Sequence, residues 1–258
     1  MTCRIALAVV SLSVACGAAS VAQTPPVAEF QRWARAHAVT ISFDERSLAE
    51  ANIDQFAPLK ASVGNAHLIA LGEPFHGGHE PLDARNRLVR YCIARLGCTA
   101  VALETGFSNS KRLYDYVLGR STESDSAIKT AFSYGFGGIK ENIDLLHWLR
   151  DYNASQSAGK KVRLYGIDIT GALFDPFGFR SLQSVLTYLG HTDTTLAHEE
   201  SQALAEVLPV FRSDSLPLLP AERQDRIAGK VSDLETLLRL HRLELLHQGS
   251  ADDYEWAV

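Results

Sequence analysis

The sequence predicts an α/β fold, in which a mostly parallel sheet is flanked by helices and followed by a C-terminal helical lobe. Three short apolar runs, at residues 67–71, 99–103 and 162–167, have the length and composition of buried parallel strands. Helical patterns separate these runs, and such alternation is typical of a parallel sheet. The first two runs lack polar alternation, so we expect both of their faces to be covered.

The helices are predicted from apolar stripes and from end signals. Residues 83–96 place apolar side chains on one face, and Gly97 ends this helix in the usual C-terminal position. Two further helices are expected between the second and third strands, and the glycine-rich residues 133–138 between them predict a flexible turn. The expected helices beyond the first are residues 109–118, 140–153, 177–189, 196–210 and 221–247, with another one opening at residue 252.

The chain is expected to have three parts. Residues 1–22 resemble a signal peptide, with Arg4 before an apolar stretch and small residues up to Ala22, which predicts an exported, periplasmic or secreted protein. The apolar stretch is shorter than a membrane span, so no stable span is expected after cleavage. Residues 23–190 predict the α/β domain and residues 191–258 an incomplete helical lobe, because the chain ends on the opening of a helix.

The composition excludes several classes of protein. Hydrophobic residues make up 46% and charged residues 21% of the 258 residues, as in an ordinary globular chain. Without the leader, 24 basic residues face 30 acidic ones and form no basic stripe, which argues against nucleic acid as a partner. Outside the leader only Cys92 and Cys98 remain, and a disulfide and a pair of buried thiols are both compatible with their spacing.

Each predicted strand ends in a carboxylate, namely Glu73, Glu104 and Asp168. Ligands of open parallel sheets bind beyond the carboxyl ends of the strands, so these three acids predict a site there. Repulsion between neighbouring carboxylates also raises the pKa of at least one of them, and such raised pKa values are common in catalytic sites. A single acid after a strand could be only a helix N-cap, but three of them favour a site.

His76 follows Glu73 by three residues in a glycine-rich turn, where it could exchange a proton near neutral pH. His79 and Glu80 leave a second hypothesis open, since imidazole and carboxylate groups also bind zinc or manganese. The helical His-Glu-x-x-His pattern is absent, as are a Gly-x-Ser-x-Gly elbow and the glycine-rich phosphate loops. These absences disfavour a common serine hydrolase and a nucleotide-binding protein.

Four linked motifs between residues 66 and 173 resemble the erythromycin esterase family. Residues 71–80, Leu-Gly-Glu-Pro-Phe-His-Gly-Gly-His-Glu, are similar to its Gly-Glu-x-x-His-Gly-x-x-Glu signature. Residues 102–104 resemble its second acidic strand end, residues 145–153 its tryptophan-containing helix, and residues 165–168 the strand that follows. The order and spacing of the four motifs make the resemblance far more specific than any one of them.

The resemblance implies that the protein hydrolyses a cyclic ester, such as a macrolide lactone, and needs neither a metal nor a cofactor. Hydrolysis of a macrolide would confer antibiotic resistance. In this resemblance, the family's proposed general base corresponds to His76, and its proposed acidic partners correspond to Glu73 and Glu104. Arg85 matches a basic position with a substrate-binding or structural role. We add Asp168 and His79 as substrate-binding residues, with a small-molecule ester or lactone as the partner. A macrolide and an envelope-derived ester both remain possible substrates.

One departure from the family pattern leaves alternatives open. Family members are longer and carry a second functional histidine beyond the helical lobe, so this chain resembles a C-terminally truncated member. The histidines of its lobe match no family motif, and we expect them to face solvent; they are His191, His198, His241 and His247. The alternatives are a non-catalytic or inactive fragment of the fold, and a metal-dependent hydrolase that uses His76, His79 and Glu104.

Overall fold

A computed structural model describes residues 27–38, 41–42, 47–72, 75–169, 177–213 and 215–258. The chain divides into two compact units, residues 1–99 and residues 100–258. The predicted signal peptide and Glu73 lie outside the described residues. The domain boundaries expected at residues 22 and 190 stay predictions.

The described part of the first unit is helical. It contains α1 (Val27–His37), a 3₁₀ turn (Asp54–Phe56), α2 (Leu59–Val63) and α3 (His79–Leu96). The Arg90 guanidinium donates two hydrogen bonds of 2.7 Å to the carbonyls of Leu48 and Ala51, which fastens the preceding loop to α3. The predicted end of α3 is confirmed, because Gly97 follows it with a left-handed φ of 76°. The helix begins four residues earlier than expected, since Pro81 in its first turn costs no helical hydrogen bond.

The prediction of a strand at residues 67–71 is wrong. These residues are in no strand, and none of them is buried; the described part of the first unit contains no strand at all. A strand exists only when its backbone pairs with a neighbour, and an apolar sequence does not supply that neighbour.

The second unit contains a parallel pair of strands, β1 (Ala100–Gly106) and β2 (Arg163–Asp168), with Val101 opposite Leu164. The two predictions for these strands are confirmed within three residues at each end. The sheet packs against α4 (Phe107–Val117), and α4 packs against α6 (Lys140–Ala154). The connection between α4 and α6 contains α5 (Asp125–Lys129) and a 3₁₀ segment (Ser133–Gly138). The fold class is therefore α/β, as predicted.

The expectation that both faces of β1 are covered is wrong. Val101 and Thr105 are buried on one face, whereas Ala102 and Glu104 point to the other face and are exposed. Small apolar side chains can lie on an exposed face at little cost in free energy. The apolar sequence of β1 therefore did not indicate that one of its faces is exposed.

Asn153 fixes the start of β2 from the last turn of α6. Its buried amide group donates to the carbonyls of Val117 (2.9 Å) and Val162 (2.8 Å), and its oxygen accepts from the Val162 N–H (2.7 Å). One buried side chain thus bonds to three backbone groups, at the end of α4 and at the start of β2.

The helical lobe surrounds a separate apolar core in which Leu189, Leu204 and Val207 are fully buried. The predicted helix at residues 196–210 is broken after Ala203, because Pro209 lacks an N–H and its ring would clash with a carbonyl one turn earlier. The predicted helix at residues 221–247 is also broken, at His241, and nothing in the sequence explains this break. The lobe contains α7 (Phe177–Thr192), α8 (Thr194–Ala203), α9 (Val207–Arg212), α10 (Ala221–Leu240), α11 (Arg242–Gln248) and α12 (Ala251–Ala257).

The four histidines of the lobe are exposed, as predicted. The helix expected to open at residue 252 is confirmed as α12, which Ser250 caps by accepting from the Asp253 N–H. Within the described ranges, no helix combines the length and apolar character needed to cross a bilayer.

Candidate functional site

Glu104 and Asp168 lie at the same edge of the sheet, as the strand-end argument predicts. Leu103 is opposite Gly166 and Gly106 is opposite Asp168, so two residues of β1 face one residue of β2. This bulge changes the direction of the side chains at the end of β1. The carboxylate of Glu104 is exposed there, and the carboxylate of Asp168 is half-buried.

The 3₁₀ segment Ser133–Gly138 joins this edge through buried hydrogen bonds. The Ser133 hydroxyl accepts from the Gly106 N–H (2.9 Å), and the Ser133 N–H donates to the Thr105 hydroxyl (2.8 Å). At Gly137 an added Cβ would lie 2.0 Å from the Lys129 carbonyl oxygen, so no larger residue fits. The expectation of a flexible turn is therefore wrong, because this segment is packed against the end of β1.

Tyr134 is a site residue that the sequence analysis missed. Its hydroxyl donates a short hydrogen bond to Oδ2 of Asp168. Its backbone has a φ of 58°, the one positive φ at a non-glycine residue in the described part of the chain. Strained backbone of this kind persists where the surroundings impose it, and it is concentrated at functional sites. The sequence signal was the tyrosine beside three glycines in a segment that we had expected to be a mere turn.

An aromatic cluster borders β2 and the first turn of α4. Trp256 of α12 stacks on Phe107 with ring centroids 4.6 Å apart, and it also stacks on Tyr165 of β2 at 5.8 Å. Phe107 immediately follows β1 and is 39% exposed. The end of the lobe therefore supplies an aromatic surface next to the end of β1, which no sequence motif had indicated.

The His76 turn has the glycine geometry that the sequence predicts. Gly77 has a left-handed φ of 81°, and a Cβ at Gly78 would lie 2.9 Å from the Phe75 ring. The imidazole of His76 is exposed. His76 belongs to the first unit and Glu104 to the second, and the proximity of the two side chains stays a prediction.

The other predicted site residues of the first unit lie on α3. His79 is exposed at the first position of the helix, and Gly78 precedes it as the N-cap residue. Arg85 is half-buried and donates to the Asn86 side-chain oxygen from Nε (3.2 Å) and Nη2 (3.0 Å). Arg85 thus has a structural contact within α3, while substrate binding by Arg85 and His79 stays a prediction.

Metal-ligating side chains form no cluster in the part of the chain that the structure describes. There, no three His, Cys, Asp or Glu side chains are grouped closely enough to hold a metal ion. The hypothesis that His76, His79 and Glu104 are metal ligands joins residues of the two units and stays a prediction.

Comparison with known proteins gives one consistent result. The model of the erythromycin esterase family matches residues 93–258. An Escherichia coli erythromycin esterase type II is 33% identical over 118 residues, which are 46% of this chain and 27% of that protein.

Solved structures share the fold. A Bacillus cereus protein superposes with a TM-score of 0.70 and 24% identity, covering 89% of this chain and 53% of that one. An erythromycin esterase mutant in its open conformation gives a TM-score of 0.54 and 23% identity, covering 81% and 50%. The chain thus spans about half of the two solved chains and about a quarter of the E. coli relative.

Proposed function

Because the chain belongs to the erythromycin esterase family, we propose that it is an ester hydrolase of that type, which cleaves a macrolactone or a related ester. The observation that carries the proposal is the sheet edge, where a bulge presents Glu104 to solvent and Tyr134 holds Asp168 beside it. Carboxylates in such a position can orient a histidine, a water molecule and the hydroxyl groups of a substrate.

The proposed chemistry is water attack on the ester carbonyl. His76 accepts a proton from the water, the hydroxide adds to the carbonyl carbon, and the ring oxygen then leaves and takes up a proton. The products of a lactone are one hydroxyl and one carboxylate on the same molecule. General base catalysis of this kind increases the reaction rate by about 10²- to 10⁴-fold. The exposed position of His76 in a turn fixed by Gly77 and Gly78 supports this role.

Glu73 and Glu104 are the proposed partners of His76. A carboxylate that accepts from one imidazole nitrogen fixes the tautomer, so that the other nitrogen is ready to accept the proton of water. The carboxylate of Glu104 forms no hydrogen bond or ion pair with the described residues, which leaves it available for this task.

Asp168, His79 and Arg85 are the proposed contacts to the substrate. Tyr134 donates to Oδ2 of Asp168, so Oδ1 is left to accept from a substrate hydroxyl. A polyhydroxylated lactone or a sugar-linked ester would supply such hydroxyls. We also retain the proposal that the protein is exported to the periplasm or beyond, where a small-molecule ester would reach it.

The test is a comparison of His76→Ala with His247→Ala in the full chain. His247 is an exposed histidine of α11, so its replacement removes an imidazole away from the proposed site. The assay measures kcat/KM against a panel of macrolide lactones and simple aryl esters. We expect His76→Ala to lose at least about 10²-fold in kcat/KM and His247→Ala to retain full activity. Both variants should keep the thermal midpoint of the native chain.

Two results would contradict the proposal. One is hydrolysis by the His76→Ala variant at the rate of the native chain. The other is a native chain that folds but cleaves no ester of the panel.

A further inference from the structure

Cys92 and Cys98 lie close together where α3 ends. Gly97, with its φ of 76°, reverses the chain just beyond the helix, and the Cys92 carbonyl accepts from the N–H groups of both Gly97 and Cys98 (3.1 Å for the latter). This return of the chain places Cys98 next to Cys92, close enough for the two thiols to influence each other. Cys92 is buried and Cys98 is half-buried, and no disulfide joins them.

The two thiols differ in acidity. The neighbouring Cys92 thiol lowers the pKa of Cys98, although burial raises it. The neighbouring Cys98 thiol, followed by burial, raises the pKa of Cys92. A thiolate, not a thiol, attacks disulfides, so Cys98 is the group that reacts first.

We propose that Cys92 and Cys98 form a redox-active dithiol, which low-molecular-weight disulfides oxidise to an intramolecular disulfide. Cys98 is the attacking residue and Cys92 the resolving residue. The proposal depends on the chain reversal at Gly97 and on the unequal exposure of the two side chains, and it is independent of the proposed hydrolase activity.

The reaction is a pair of thiol–disulfide exchanges. The Cys98 thiolate attacks one sulfur of the small disulfide, which forms a mixed disulfide and releases one thiolate. Cys92 then loses its proton, attacks the Cys98 sulfur and releases the second thiolate. In total two protein thiols lose two electrons, and the small disulfide gains them as two thiols.

The resulting bond would close a loop of seven residues around the end of α3. A cross-link removes conformations from the unfolded chain, and even a short loop contributes to stability in this way. Oxidation should therefore raise the thermal midpoint by about 5 °C, and a reductant should reverse the increase.

The experiment treats the full chain with oxidised glutathione at pH 8, blocks the remaining thiols by alkylation and maps the tryptic peptides. Trypsin cuts after Arg95, so Cys92 and Cys98 fall in different peptides, residues 91–95 and 96–111. A disulfide between them appears as these two peptides joined together. Peptides that contain Cys3 or Cys16 have other masses and do not interfere.

Two single variants separate the roles of the cysteines. In Cys92→Ser we expect Cys98 to keep glutathione as a mixed disulfide, because no residue resolves it. In Cys98→Ser we expect Cys92 to stay unmodified, because it is buried. In the native chain, alkylation of Cys98 should be at least about tenfold faster than alkylation of Cys92, because Cys98 is the more exposed of the two thiols.

Three results would overturn the proposal. They are a native chain whose two peptides stay separate after the treatment, a mixed disulfide on Cys98 that persists although Cys92 is present, and a Cys98→Ser variant whose Cys92 takes up glutathione as fast as Cys98 does. The Cys92→Ser and Cys98→Ser proteins are checked for folding by their thermal midpoints under reducing conditions, which should match that of the native chain within a few degrees.

Discussion

The strand-end region, residues 100–169, and the helical lobe, residues 177–258, are stabilised in different ways. The strand-end region buries polar side chains that bond to the backbone of other elements, among them Thr105, Ser133 and Asn153. No polar or charged side chain is buried in the described residues of the lobe apart from tyrosines, whose hydroxyls bond to backbone carbonyls. The lobe therefore depends on apolar burial.

This difference has a physical consequence. Hydrogen bonds have a narrow geometry, so the buried polar groups fix individual atoms at the sheet edge. Apolar burial has no direction and tolerates rearrangement when volume is kept. Changes in the strand-end region should therefore alter the candidate site, whereas changes in the apolar core of the lobe should alter stability alone.

The largest expected contrast is between two glycine substitutions. A Cβ at Gly166 of β2 would lie 2.4 Å from the Thr105 carbonyl oxygen, so Gly166→Ala should force the strands apart and cost about 4 kcal/mol or more. Gly229 in the middle of α10 has open space around it, and Gly229→Ala should stabilise the helix by about 0.5–1 kcal/mol. Urea unfolding of both variants measures the two effects. Equal effects would contradict the assigned packing of β2.

A cavity in the lobe should lower stability without altering catalysis. Leu189→Ala removes a fully buried side chain of α7 and should cost about 3 kcal/mol in the free energy of unfolding. The exposed Leu243 of α11 is the matched control, and Leu243→Ala should change the free energy of unfolding by less than about 0.5 kcal/mol. Ester hydrolysis well below the thermal midpoint should be unchanged in both. A large loss of kcat in Leu189→Ala would show that the lobe positions the site.

Tyr114 connects the two regions and should make their contact sensitive to alkaline pH. Burial, followed by the hydrogen bond from its hydroxyl to Asp252 (3.0 Å), raises the pKa of Tyr114 to about 12. The unfolded chain releases this proton near pH 10, so folding stability falls as the pH rises from about 10 to 12, by about 2 kcal/mol.

The Tyr114→Phe variant has no proton to release at this position and should lose about 2 kcal/mol less over the same interval. Tyr152→Phe serves as the control, because Tyr152 is a half-buried tyrosine of the neighbouring α6. Urea unfolding at pH 9, 10, 11 and 12 measures the slopes. Parallel slopes for the native chain and Tyr114→Phe would remove Tyr114 as the cause.

The smallest expected effect concerns Tyr134. Tyr134→Phe removes the hydroxyl that donates to Asp168 and should cost about 1 kcal/mol in stability. If Asp168 contacts the substrate, kcat/KM should fall about tenfold, mainly through KM, because a released carboxylate positions the substrate less well. Phe136 is the aromatic neighbour of Tyr134, and Phe136→Leu tests whether mere disturbance of the segment has the same result. Equal losses in both variants would argue against a role for the hydroxyl.

Local sequence signals predicted those elements whose cause is local. Gly97 ends α3 because glycine, which has no Cβ, adopts a left-handed φ without a steric clash. The glycines after His76 indicated a tight turn for the same reason. The strands β1 and β2 were also predicted, since their apolar residues have no helical periodicity. The strand-end argument then placed Glu104 and Asp168 at one edge, because neighbouring parallel strands end together.

The features that were missed depend on partners far away in the sequence. Residues 67–71 have the composition of a strand, but only a paired neighbour would make them one. The bulge at Glu104 arises from the register between β1 and β2, which neither strand encodes alone. The bond from Tyr134 to Asp168 joins residues 34 positions apart, and no spacing rule relates them.

By itself the sequence determined the α/β class, the ends of several helices and the carboxylates that end two strands, because backbone sterics and apolar periodicity act over a few residues. Only the tertiary structure decided which strands pair, which face of β1 stays open and which hydroxyl holds Asp168. Those outcomes require the chain to close long loops, and the burial of distant groups against one another determines them.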